Sequence, residues 1–271
     1  MKRFSVARAV VAVVFVTMPV TMLVTTAQLS AQGGGGRGGA PQAAQMPAPK
    51  NLQFFPKDMT GAQLLPIMAN FNAALGVNCT YCHNSEPPVD NPKNDFASDE
   101  KDTKKRARVM LAMAREVNMT LQSQLGKPAA EITQVQCVTC HRGVAIPKQL
   151  TALLNETAAK DGAPAAIKQY QDLRKQYYGT QAYDFSDGTL FAVAQQALMA
   201  NKPDDALAFA QLNIAYNGKS ARSYQLASQA YQRKNAKEAA IGSLQKAIEL
   251  DPMNQGYKNQ LQQLQGTAAP Q

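Results

Sequence analysis

The sequence predicts an all-α chain made of two helical modules, and three observations carry that prediction. Apolar residues recur at helical rather than alternating spacing, as in Leu64, Met68, Phe71 and Leu75, or Met110, Met113, Val117 and Leu121. A Cys-x-x-Cys-His signature occurs twice, at Cys79, Cys82 and His83 and again at Cys137, Cys140 and His141. From Ala221 to Asn254, residues Tyr224, Ala227, Tyr231, Ala240, Leu244, Ala247 and Pro252 fall on the pattern positions of a roughly 34-residue tetratricopeptide repeat.

At 271 residues, 45% hydrophobic and 17% charged, the chain has room for two modest domains of ordinary globular composition. Its formal charge of +9 is unevenly placed. Residues 1–50 hold Lys2, Arg3, Arg8, Arg37 and Lys50 and no acid, whereas the rest of the chain is close to balanced. The basic excess therefore belongs to the N-terminal tail, and no nucleic-acid surface is expected.

Lys2, Arg3 and Arg8 precede an apolar run from Ala9 to Val24, closed by Thr25, Thr26 and Ala27. This layout predicts a secretory signal over 1–31 and a periplasmic body. Extended to Leu29, the run reaches the ~20 residues of a membrane span, so a retained leader would tether the chain to the membrane. Residues 32–50, rich in Gly, Pro and Ala, read as a flexible linker.

Residues 51–150 should form the first module. Thr60 and Gln63 make a capping box, which opens a helix that Gly76 stops and Pro66 bends. A polar stretch from Asn84 to Ala97 leads to a second helix, expected to be capped at Ser98 with Asp99 and Glu100 in its first turn. Gly126 and Pro128 should end it near Gln124.

The doubled signature has a definite chemistry. Cys79 and Cys82 are spaced to form thioethers to the vinyl groups of one haem, and His83 to ligate its iron; Cys137, Cys140 and His141 repeat the set. Two covalent haem c groups follow. Disulfides or zinc would use the cysteines but leave a histidine after each pair unexplained, and the gap from Cys82 to Cys137 far exceeds the ~15 to 20 residues of a zinc ribbon. Each iron then needs a sixth ligand, and both histidines are spent. A soft thioether is the natural donor. Met68, Met110 and Met113 lie on helices that precede the motifs, where they read either as ligands or as core filler.

The blocks Leu75-Gly76-Val77-Asn78-Cys79-Thr80-Tyr81-Cys82-His83-Asn84, Ala107-Arg108-Val109-Met110-Leu111-Ala112-Met113 with Asn118, and Cys137-Val138-Thr139-Cys140-His141-Arg142-Gly143 resemble the cytochrome c subunit of photosynthetic reaction centres and its non-photosynthetic relatives. The resemblance covers roughly 55–148. It implies that Met68 is the sixth ligand of the first iron and Met110 that of the second, with Met113 as the alternative to Met110. That family typically carries four haems and a lipid-modified cysteine, whereas this chain has two motifs and no such cysteine, so donation to a photo-oxidised chlorophyll pair does not follow.

In the C-terminal half, Asp161 and Pro164 open a connecting helix within 151–186, with Ile167, Tyr170, Leu173 and Tyr177 on one face and Gly179 after it. Residues 187–271 should hold two repeats, the first matching loosely, and a capping helix from about Met253 to Leu264. Two repeats are fewer than the ~3 that usually bury a continuous core, so docking onto the haem module or a partner is expected.

The resulting functional expectation is a periplasmic di-haem carrier of single electrons between redox partners, with the repeats as a docking module, and not an enzyme. The alternatives are a di-haem peroxidase-like enzyme with one open iron, for which no spare histidine exists, and a haem subunit assembled into a membrane respiratory or photosynthetic complex.

Overall fold

The computed structural model describes residues 48–87 and 91–266. The expected leader and nearly all of the linker lie outside the described residues. Among those described, regular structure is all helical: α1 (Gly61–Leu75), α2 (Asp102–Leu125), α3 (Cys137–His141), α4 (Leu150–Asp161), α5 (Ala163–Tyr177), α6 (Asp187–Met199), α7 (Pro203–Tyr216), α8 (Ala221–Arg233), α9 (Lys237–Leu250) and α10 (Gln255–Gln265).

The Thr60–Gln63 capping box forms as expected: the Gln63 amide donates to the Thr60 hydroxyl, and the Thr60 amide donates to the Gln63 side chain at 2.9 Å. Helix α1 runs through Pro66 and ends at Gly76, whose φ of 66° is the left-handed cap that only glycine adopts without strain. Gly126 ends α2 in the same way.

The expected start of α2 is corrected. Its first helical residue is Asp102, three residues after Asp99. The segment before it is committed to other bonds: the Ser98 amide donates to Asp95, the Ser98 hydroxyl accepts from the Glu100 amide, and the Asp99 carboxylate is drawn to Lys104 and Arg108. The Asp99 carboxylate is thus turned away from the amides that follow, and the Ser98 bond to Glu100 closes a turn ahead of the helix rather than its first turn.

The single connecting helix is also corrected. Residues 151–186 contribute to two helices, α4 and α5, separated by Gly162. Leu150 and Leu154 from α4 and Ala166 and Tyr170 from α5 are buried together with Leu190, Val193, Phe209 and Leu226 of the helices that follow. Helices α4/α5, α6/α7 and α8/α9 are therefore three successive hairpins, with α10 packed on α9. Three hairpins supply the continuous core that two were expected to lack, and this core includes no residue before Leu150. Each fully buried Leu or Phe contributes roughly 1.5–3 kcal/mol to it. A polar tie joins the second and third hairpins, where Arg222 grips the Asp187 carboxylate with two bonds of 2.9 and 2.7 Å.

Candidate haem centres

Each signature sits at a helical turn held from outside by its neighbours. The first occupies a short 3-10 turn over Cys79–Tyr81. Its backbone is pinned to the start of α2, because the Lys101 ammonium donates to the Thr80 carbonyl and the Thr103 hydroxyl to the Tyr81 carbonyl. The second is helix α3 itself, with a capping box that the sequence reading missed: the Gln136 amide donates to the Thr139 hydroxyl at 3.0 Å. Asn118 of α2 fixes its approach, donating to the Val135 carbonyl at 2.9 Å and accepting from the Val135 amide at 2.7 Å.

The two signatures are joined by a glycine contact. The Gly143 amide donates to the Ala74 carbonyl at 2.8 Å, which brings the turn after His141 against the end of α1. Here Gly76 passes so near Gly143 that no β-carbon fits between them.

Both imidazoles are oriented alike. His83 Nδ1 lies 3.0 Å from the Phe96 carbonyl oxygen, and His141 Nδ1 lies 2.9 Å from the Val144 carbonyl oxygen. A carbonyl can only accept, so each Nδ1 carries the proton and each Nε2 keeps its lone pair for a metal. The Phe96 ring also packs edge-on against His83, with centroids 5.3 Å apart. Burial pushes the His83 imidazole below its ordinary value, and the Lys104 ammonium pushes it the same way. Both favour the neutral ring that ligates iron.

No disulfide joins any two of the four cysteines, and among the described residues no three His, Cys, Asp or Glu side chains gather into a metal site. Burial pushes the Cys82 and Cys137 thiols up. That is unlike a reactive thiolate, which needs the anion.

Met68 shares a face of α1 with Asn72, one turn later, and Asn72 Nδ2 reaches to 3.6 Å from Cys79 Sγ. The Met68 face is therefore the one that looks toward the first signature. Met110 and Met113 stand one turn apart on α2, 44% and 48% exposed, with Val109 and Val117 also exposed nearby. These side chains form an apolar flank that no protein core covers.

The residues fit haem c. Between Asn51 and Gln149 the fully buried apolar side chains among the described residues are Leu52, Ala74 and Val144. Tyr81 and Val138 within the signatures, and Met110 and Met113 on α2, leave large apolar groups exposed. A flat apolar macrocycle held by the cysteines and the free Nε2 would cover such groups.

Comparison with known proteins agrees. Residues 89–203 match the family model described as photosynthetic reaction centre cytochrome C subunit, a match that spans the second signature and begins after the first. The photosynthetic reaction center cytochrome c subunit of Rubrivivax gelatinosus is 32% identical over 110 residues, covering 37% of this chain and 28% of that protein. Cytochrome c-554 of Chloroflexus aurantiacus is 40% identical over 98 residues, covering 36% of this chain and 21% of that protein. The chain thus spans about a quarter of the length of these curated relatives. Among solved structures, MamA from Desulfovibrio magneticus aligns with a TM-score of 0.34 at 18% identity, over 61% of this chain and 85% of that one. The first tetratricopeptide domain of human RPAP3 gives 0.32 at 19%, over 44% of this chain and 88% of that one. The sequence matches point one way: over residues 89–203 the chain is similar to the photosynthetic reaction centre cytochrome C subunit family.

Proposed function

We propose that this chain is a di-haem c-type cytochrome that carries single electrons between redox partners in the periplasm, with the C-terminal hairpin stack as its docking module. The observation that carries the reading is the repeated pairing of a Cys-x-x-Cys-His turn with an Nδ1 bond from the histidine to a backbone carbonyl. Bound haem c supplies the one-electron couple. The protein would hold each group covalently through two cysteines, fix the histidine that ligates the iron, and supply a methionine thioether as the remaining ligand. We assign Met68 to the first iron and one of the Met110/Met113 pair to the second, Met110 being the one the family resemblance implies. Closing both irons leaves no coordination position for a substrate, which sets a carrier apart from a peroxidase. The basic, apolar N-terminal segment supports export, either with cleavage or as a membrane tether.

The pyridine haemochrome of the purified protein tests the reading: two haems per chain are expected, with a near-infrared methionine-to-iron charge-transfer band from both. One haem, or a band from one iron only, would reopen catalysis. The printed name of the Rubrivivax relative favours a second reading, a haem subunit built into a membrane complex. A chain that migrates with such a complex after detergent extraction supports that reading, and a chain recovered as a free soluble protein supports the carrier.

A further inference from the structure

Lys104 is the one charged side chain that is fully buried among the described residues, at 9% exposure. Its ammonium donates to three consecutive carbonyls, Phe96 at 2.9 Å, Ala97 at 3.0 Å and Ser98 at 2.7 Å, and lies 3.2 Å from Asp99 Oδ1. The Phe96 oxygen is the same atom that receives His83 Nδ1, so the cation and the imidazole share one acceptor. Arg108 shares the Asp99 carboxylate at 2.8 Å, and Lys101 sits on the signature turn at the Thr80 carbonyl. Three cations and one carboxylate therefore surround this histidine. The second site differs: among the described residues no lysine or arginine side chain donates to the Val144 carbonyl that holds His141.

We propose that Lys104 is a positioning residue that raises the reduction potential of the haem ligated by His83 relative to that ligated by His141. The inference rests on the di-haem reading. Two effects act in the same direction. Ferric haem carries one more positive charge than ferrous, so a desolvated cation nearby favours the ferrous form. A carbonyl already engaged by an ammonium also accepts less strongly from His83, which makes the imidazole a weaker donor to ferric iron. The asymmetry biases an electron shared between the two irons toward the His83 side, the end pinned to α2 by Lys101 and Thr103.

The test is potentiometry on the full-length holoprotein, with haem counted first. Lys104→Met should shift one of the two midpoint potentials downward by at least a factor of ten in the reduction equilibrium, which is 59 mV for one electron. The shifted haem should be the one that remains when Cys137 and Cys140 are both replaced by alanine. Lys104→Arg should restore most of the shift. Asp99→Asn removes the carboxylate and keeps the cations, so it should move the same haem upward. A merely structural role predicts downward movement in both variants, because loosening exposes the haem. Two covalent haems with unmoved potentials in Lys104→Met, or a downward shift in Asp99→Asn, overturn the inference and leave the di-haem reading standing. A wild-type protein without two haems overturns both.

Discussion

A β-carbon built on Gly76 would lie 2.1 Å from the carbonyl oxygen of Gly143, and its φ of 66° already disfavours any side chain. Gly126 has nearly the same φ but open space around it. The pair separates two costs. Gly126→Ala should lose only the left-handed penalty of about 1 kcal/mol. Gly76→Ala must also push the two signatures apart, so its loss should be at least twice as large in thermal melts followed by circular dichroism. Equal losses would mean that the crossing relaxes freely.

Met68→Ala should convert one of the two haems to a form that binds carbon monoxide in the ferrous state, seen as a difference spectrum of half the total haem. Met110→Ala should do the same to the other, and Met113→Ala should leave both closed. If Met113→Ala opens the iron and Met110→Ala does not, the second thioether comes from one turn further along α2.

Asn118→Ala leaves the Val135 amide and carbonyl without their partners just ahead of α3. A loss of about 2 kcal/mol in denaturant unfolding is expected. Asn118→Asp keeps the acceptor and loses the donor, so it should fall between the wild type and Asn118→Ala. A neutral Asn118→Ala would show that the approach to Cys137 is held by something else.

The Arg222 guanidinium holds the Asp187 carboxyl below its ordinary value of 3.8, with help from the Ser220 hydroxyl. In the unfolded chain this aspartate binds a proton as the pH drops through about 4, while in the folded chain it stays ionised. Its contribution is thus complete above the unfolded value and is lost as the pH falls toward the folded one. Stability measured against pH should decline on acidification below about 4, and Asp187→Asn should flatten that decline. A variant whose acid limb matches the wild type would remove Arg222 as the cause.

The parts of this architecture that were legible in the sequence are those set by local chemistry. Thr60 with Gln63, Gly76, Gly126 and the hairpin pattern around Ala240 and Leu244 need no distant partner to be read. Helix α4 was missed although Leu150, Leu153, Leu154 and Ala158 have helical spacing, because no capping residue announces it: Gln149 makes no side-chain cap bond. Ser98 and Asp99 look like a helix start, and only the positions of Lys104 and Arg108 in space divert the Asp99 carboxylate. Lys104 reads as one more surface charge in a basic helix until the chain folds the 96–98 carbonyls over it. The acceptor for His141 is three residues along, but that for His83 is thirteen residues away across an irregular loop, beyond any pattern.

The hairpin stack completes its core from Leu150 onward without help from the haem half. The order of events in making the protein follows from this. Helices that meet their sequence neighbours form fast, since little loop entropy precedes their contacts. The N-terminal half, whose described residues bury three apolar side chains, would on the proposed reading gain most of its interior only when its haems are attached. Thioether formation would then be a folding step as well as a chemical one, and a chain that fails it would keep an intact C-terminal stack beside an unfinished N-terminal half that quality-control proteases can recognise.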